Sequence, residues 1–161
     1  MTTFNHPNTI HNDLDLLCPP LHNLVINILA DIQHHRLPFK VFETGRTIER
    51  QEFLLDNGKT TIIDSKHLIE VDKNNNIIKK SEAVDFVIHY SALNGSNIWS
   101  WANIGNEHQK ARDMAYYRIL KELIMTKYSP LIESDPAIKQ IESGGDWENF
   151  KDWPHYQIDL V

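Results

Sequence analysis

A chain of 161 residues with 16 Lys and Arg against 22 Asp and Glu carries a net charge of −6, which argues against nucleic-acid binding, since phosphate contacts need a clustered basic face. The length suits one domain that buries roughly two-thirds of its unfolded surface without staples. A single Cys excludes an intramolecular disulfide and Cys-rich zinc fingers, and 41% hydrophobic with 24% charged residues excludes disorder and a membrane span. Nine His are unusual for this length and direct attention to metal chemistry.

A polar lead-in covers residues 1–18, without the basic, apolar and small-residue pattern of a secretory leader. The longest apolar run, Leu24-Val25-Ile26, is far too short to cross a bilayer. Pro19-Pro20 opens a helix, because a missing N–H is tolerated in a first turn. Leu21, Leu24, Val25, Ile28, Leu29 and Ile32 follow as one apolar stripe, and His34-His35-Arg36 closes the helix with positive groups at its negative end. Leu37 to Glu43 alternates and reads as a strand.

Thr44-Gly45-Arg46 predicts a tight turn, and Thr47 caps a second helix that Gly58 stops. Lys59 to Lys66 is expected to be extended. Leu68–Asp72 and Ile77–Lys80 flank an asparagine turn and predict a hairpin, and Ala83 to Tyr90 is the strongest strand. A third helix is expected over Glu107–Lys127, a loop over Ser129–Pro136, a helical turn over Ala137–Glu142, and a closing strand from His155. This order predicts an α+β fold, an antiparallel sheet with helices packed against it.

Three pieces carry chemistry: Ser65-Lys66-His67, Ala83-Val84-Asp85 and Asp152-Trp153-Pro154-His155. Two imidazoles and a carboxylate on separate strands supply the three protein ligands of a catalytic zinc, and a further carboxylate then serves as general base. Asp152 and His155 stand three apart across a Trp-Pro bend, so one suits the base and the other the ligand. Glu70, Asp72 and Glu82 rival Asp85, and Asp146 rivals Asp152. The other seven His read as surface or core residues, and Trp99, Trp101, Trp147 and Trp153 as core or groove walls. Asp72, Asn74 and Asn76 have the one-three-five spacing of a calcium loop, but Ile77 replaces its Gly and Ala83 its Glu, so the segment reads as a turn.

On these motifs the chain resembles the zinc peptidases that cut D-amino-acid links in bacterial cell walls: D-alanyl-D-alanine carboxypeptidases, vancomycin-resistance dipeptidases and the L-alanyl-D-glutamate endopeptidases of phage endolysins, with Hedgehog signalling domains as relatives. Ser65 and His67 match the start of the signature S-x-H-x-x-G-x-A-x-D, and Ala83 and Asp85 its end. Gly144-Gly145-Asp146-Trp147, Phe150 and Asp152-Trp153-Pro154-His155-Tyr156-Gln157 resemble the closing signature of the endolysin branch, and Thr44-Gly45-Arg46-Thr47 with Gln51 its Gly-Arg turn. The resemblance implies one zinc held by His67, Asp85 and His155, Asp152 as catalytic base, Arg46 polarising the scissile carbonyl, and Ser65 and Gln51 lining the substrate. It further implies a monomeric single-domain peptidase spanning 1–161, made in the cytoplasm without a signal peptide, released through a holin pore and acting on the peptidoglycan stem.

Two departures stand out. Eighteen residues separate His67 from Asp85 against seven in the family, an insertion of eleven, and Ser81 replaces the signature Gly. A hairpin over about 68–80 restores the geometry if its ends meet. The alternatives are a D-alanyl-D-alanine carboxypeptidase, which usually carries Glu-x-x-His at the close, and a catalytically silent zinc module. An iron(II) facial triad is set aside because its usual His-x-Asp is missing.

Overall fold

The computed structural model describes residues 6–132 and 134–161. Helix α1 (Pro19–His34) begins at the proline pair and buries Leu21, Leu24, Val25, Ile28 and Ile32. Strand β1 (Phe39–Glu43) follows, then α2 (Ile48–Asp56), whose first turn is capped by the Thr47 hydroxyl accepting from the Arg50 N–H. The short strands β2 (Glu70–Val71) and β3 (Ile77–Lys79) pair as a separate hairpin. Strand β4 (Ala83–His89), a short helix α3 (Ser91–Asn94) and strand β5 (Trp99–Ser100) lead to α4 (Glu107–Lys127), which opens on a reciprocal Asn106–Gln109 capping box. A turn of helix, α5 (Ser129–Ile132), precedes β6 (Ile138–Ser143) and β7 (His155–Leu160).

The main sheet runs β1-β4-β7-β6, entirely antiparallel, with β5 pairing the far end of β4. The expected α+β architecture is the one observed. Strand β4 is central. Its Val84, Phe86 and Ile88 join the core with α1, Tyr117, Leu120 and Ile124 of α4, and Ile158 of β7. Strand alternation turns Asp85, Val87 and His89 to the opposite face. Among the described residues no helix is long and apolar enough to cross a membrane.

The structure corrects three local expectations. Residues 138–143 form a strand, not a helical turn. Ile138 and Ile141 stand three apart as on a helix, but a register irregularity between Ile138 and Gln140 lets both be buried from an edge strand. Residues 59–66 form no strand, having no neighbour to pair with; the Lys59 N–H donates to the Leu54 carbonyl and the Gln51 amide to the Ile62 carbonyl instead. The 129–136 stretch, expected as a loop, starts with the turn of helix α5.

The insertion projects as the β2–β3 hairpin. The Asp72 carboxylate accepts from the Asn74 and Asn76 N–H groups at 2.7 and 2.9 Å and from the Asn76 side chain at 2.9 Å, so its lone pairs serve the turn. The hairpin's ends rejoin where the Glu82 N–H donates to the Lys66 carbonyl at 2.8 Å. Eleven additional residues therefore leave His67 and Asp85 close together.

Asp113 is a fully buried carboxylate on α4 that accepts from the Tyr90 and Ser100 hydroxyls, each at 2.6 Å, and from Arg112. Replacing it with Ala strands two buried hydroxyls. We expect a loss of about 3 kcal/mol in urea unfolding, and a smaller loss for Asp113→Asn, which retains an acceptor.

Candidate metal centre

Three neighbouring strands align the centre. In register, Glu43 of β1 lies opposite Asp85 of β4, and Asp85 opposite His155 of β7. His67 arrives from outside the sheet on a tight turn closed by the Leu68 N–H to the Ser65 carbonyl at 3.0 Å, with the Ser65 hydroxyl accepting from the His67 N–H at 3.3 Å. The Arg46 N–H donates to the His67 carbonyl at 2.8 Å, which ties the Gly-Arg turn to this segment.

The closing motif has a steric logic. The Asp152 N–H donates to the Gly144 carbonyl at 2.9 Å, and the His155 N–H to the Asp152 carbonyl at 3.1 Å. A Cβ on Gly144 would stand 2.5 Å from the Asp152 carbonyl oxygen, and one on Gly145 2.8 Å from the Trp153 ring. The glycine pair is thus needed for close approach: it lets the Asp-Trp-Pro-His bend settle on the 3-10 turn at Gly144–Asp146.

His67 Nε2, His155 Nδ1 and Asp85 Oδ1 converge at 3.1 Å (His67–Asp85), 3.2 Å (His67–His155) and 3.2 Å (His155–Asp85). Both imidazoles are buried, at 2% and 6% exposure. Donors about 2.0–2.1 Å from a tetrahedral zinc stand roughly 3.3–3.4 Å apart, so the triangle has the size of one face of such a site. Its hydrogen bonding points the same way. His155 Nε2 donates to the Gln157 carbonyl oxygen at 3.0 Å, and the Gln157 amide is oriented by donating to Glu142 at 3.0 Å. That tautomer leaves a lone pair on His155 Nδ1 facing a carboxylate oxygen, a repulsive contact unless a cation or proton lies between them. The donor set fits a divalent zinc. Among the described residues His67 Nδ1 has no hydrogen-bond partner.

Burial opposes ionisation of Asp85, but the charges and hydrogen bonds of His67 and His155 outweigh it and hold the carboxyl well below its ordinary range. Burial lowers the pKa of His67 against the opposing pull of Asp85, which favours the neutral ring that a metal ligand requires. For His155, burial also pulls downward, but the Asp85 hydrogen bond and charge prevail and raise it. Asp152 is raised to about 6, first by burial and then by the negative charge of Asp85. One carboxylate is therefore firmly ionised and the other is poised to exchange a proton near neutrality.

Arg46 pairs with Glu43 through Nε and a terminal nitrogen, and its other terminal nitrogen donates to Gln51 Oε1 at 2.8 Å. Glu43 is 1% exposed and also pairs with Arg50, which reaches the Pro7 carbonyl at 3.1 Å. Arg46 is thus held by a buried carboxylate, and its charge is felt at both His67 and Asp152. Gln51 is fully buried between Arg46 and the Ile62 carbonyl. Ser65 is nearly buried beside His67.

The rival carboxylates lie in other settings. Glu82 pairs with Lys66, Glu70 lies near Lys79, Asp72 closes its turn, and Asp146 pairs with Lys121. The sequence pattern assigns Glu43 and Gln157 no role at the site. The alternation placing Gln157 on the same strand face as His155 was the available signal for Gln157.

Two outcomes follow. Zinc titration in competition with a chromophoric chelator is expected to give one ion per chain, with affinity at least 100-fold weaker in His155→Ala. Gly144→Ala, which forces Asp152 and His155 aside, is expected to cost about 2–3 kcal/mol in unfolding and to weaken zinc in the same assay.

No family model matches the chain, and no curated protein matches it. Among solved structures, the crystal structure of the Serratia marcescens L-Ala D-Glu endopeptidase ChiX is similar at 21% sequence identity with a TM-score of 0.61, covering 98% of this chain and 96% of that one. The architecture described above is thus the peptidase-like α+β fold seen in ChiX.

Proposed function

We propose that this protein is a zinc-dependent peptidoglycan peptidase that hydrolyses the stem peptide between L-Ala and D-Glu. The observation that carries this reading is the convergence of His67, Asp85 and His155 into a donor triangle of tetrahedral size, on a fold whose solved neighbour is named for that cleavage. His67, His155 and Asp85 would hold the ion, which when bound supplies Lewis-acid activation of water near neutral pH.

The remaining residues act on the substrate and its protons. Asp152, as the carboxylate, takes a proton from the attacking water and returns it to the leaving amine. Its pKa near 6 suits both directions of transfer. Arg46 presents its remaining N–H groups to the scissile carbonyl, where negative charge develops. Glu43 and Gln51 act through Arg46 by limiting its rotation, and Ser65 supports the turn that carries His67. The Asp-Trp-Pro-His close favours the endopeptidase over the carboxypeptidase. A phage or prophage lysis role, with a monomer released through a holin, accords with the endolysin-like closing signature.

Digestion of purified peptidoglycan tests the reading, with new termini identified by mass spectrometry. New L-Ala carboxyl and D-Glu amino ends that vanish with a chelator are expected. Loss of one D-Ala would make the protein a carboxypeptidase, and a zinc-loaded sample that yields no new ends would make it a silent module. Asp152→Ala is expected to lower turnover by at least 100-fold with zinc still near one per chain; loss of zinc would make Asp152 a ligand. The pH profile has a definite sign. Asp152 works deprotonated, so kcat/KM falls as pH drops through about 6, and a bound cation moves that limb lower. An acid limb above pH 7, or a profile flat to pH 4, would contradict the assignment.

A further inference from the structure

An aromatic row continues the face that carries the metal-site residues. On β4 that face presents Asp85, Val87 and His89, and β1 contributes Glu43 opposite Asp85. Phe42 sits at the β1 irregularity next to Glu43 and meets Trp99 and Trp101 edge-to-face, with ring centroids 5.1 Å away in each case. Trp99 lies opposite His89 in register and touches its ring at 4.6 Å. The inner end of the row is rigid: His89 is held by the Ser91 hydroxyl at 2.6 Å and the Asn97 carbonyl oxygen at 3.0 Å. The outer end is open, with Trp101 exposed at 42%.

The segment that presents Trp101 is built at some cost. Ala102 adopts a left-handed conformation at φ 59°, rare for a residue with a Cβ. Its N–H donates to the Ser100 hydroxyl at 3.2 Å, and that hydroxyl donates to the buried Asp113. The Tyr117 hydroxyl fixes the Ser100 carbonyl at 2.8 Å. A buried polar network thus holds a tryptophan half out of the protein, at the end of a row that begins beside Asp85. None of the peptidase chemistry uses it.

We propose that Phe42, Trp99 and Trp101 form a subsite for the glycan strand of the substrate, stacking the apolar face of an N-acetylated amino-sugar ring. The proposal rests on the L-Ala–D-Glu reading above. In that substrate one L-Ala and one lactyl ether separate the cleaved bond from the first sugar. Each spans about 3.5 Å when extended, so the ring begins roughly 7 Å from the bond. From Asp85 to His89 the strand advances about 13 Å, so the row covers the interval where the first and second sugars fall. The three rings carry no charge, which suits an uncharged ring face, and the exposed Lys40, opposite Val87 in register, is the charged side chain that β1 adds to this face beyond Glu43.

The test is a titration of the peptide-free disaccharide of N-acetylglucosamine and N-acetylmuramic acid, followed by the tryptophan indole N–H resonances of the full chain. Saturable shifts of Trp99 and Trp101 are expected, with affinity at least tenfold weaker in Trp101→Ala. In parallel, kcat/KM for a glycan-bearing stem fragment divided by that for the glycan-free peptide is expected to fall from about tenfold towards one in Trp101→Ala. Absent shifts, equal affinity in the variant, or a concentration-dependent dimer that Trp101→Ala dissolves would overturn the subsite. Disaccharide binding without stem cleavage would overturn the peptidase reading alone, and equal cleavage of both fragments without binding would overturn the subsite alone.

Discussion

Asp85 is the constraint on which the rest depends. A carboxylate in the middle of the central strand, opposite Glu43 on one neighbour and His155 on the other, cannot be buried without positive or proton-bearing partners. Two imidazoles face it, one from the adjoining strand and one from a turn outside the sheet, and a proton or a cation held among the three donors would complete the balance. The second acid of the row, Glu43, meets the same requirement with Arg46 and Arg50. A buried carboxylate, Glu43, and a partly buried one, Asp85, in neighbouring strands thus gather the imidazoles and guanidinium groups of this face around them. Any charge that approaches is met by groups already fixed in place.

Distant parts of the chain serve this one strand. The Lys66–Glu82 backbone contact absorbs the insertion, because an antiparallel hairpin returns to its starting point whatever its length. The Gly144–Gly145 pair absorbs a steric problem at the other end, where the 3-10 turn and the Trp-Pro bend share space too small for a Cβ. The extra length between His67 and Asp85 therefore falls on a projecting hairpin, whereas the closing motif tolerates no extra atom. The same economy explains the Asp113 network: one buried acid secures β5, α4 and the left-handed turn at Ala102 together.

Much of the architecture was legible locally. Helices α1, α2 and α4 carry a proline pair, a threonine cap and a capping box, and β4 is a continuous apolar run interrupted by one acid. These signals lie within a few residues of their effect. The misread segments depend on distant partners: Ile138 and Ile141 have helical spacing, but β7 was there to pair with them, and residues 59–66 looked extended but had no strand beside them.

The sequence by itself determined the residue types available for chemistry and the close approach that Gly144-Gly145 permits, because side-chain identity and backbone sterics are local properties. It also determined that Asp85 would lie in an apolar strand and need a partner. Only the tertiary structure decided that His67 and His155, 88 positions apart, face each other at 3.2 Å across that carboxylate, that Glu43 is a buried clamp on Arg46, and that Trp101 stands exposed beyond them. Those relations arise from strand register and the return of the β2–β3 hairpin. Register is set by the packing of the whole sheet against α1 and α4, which no local pattern contains.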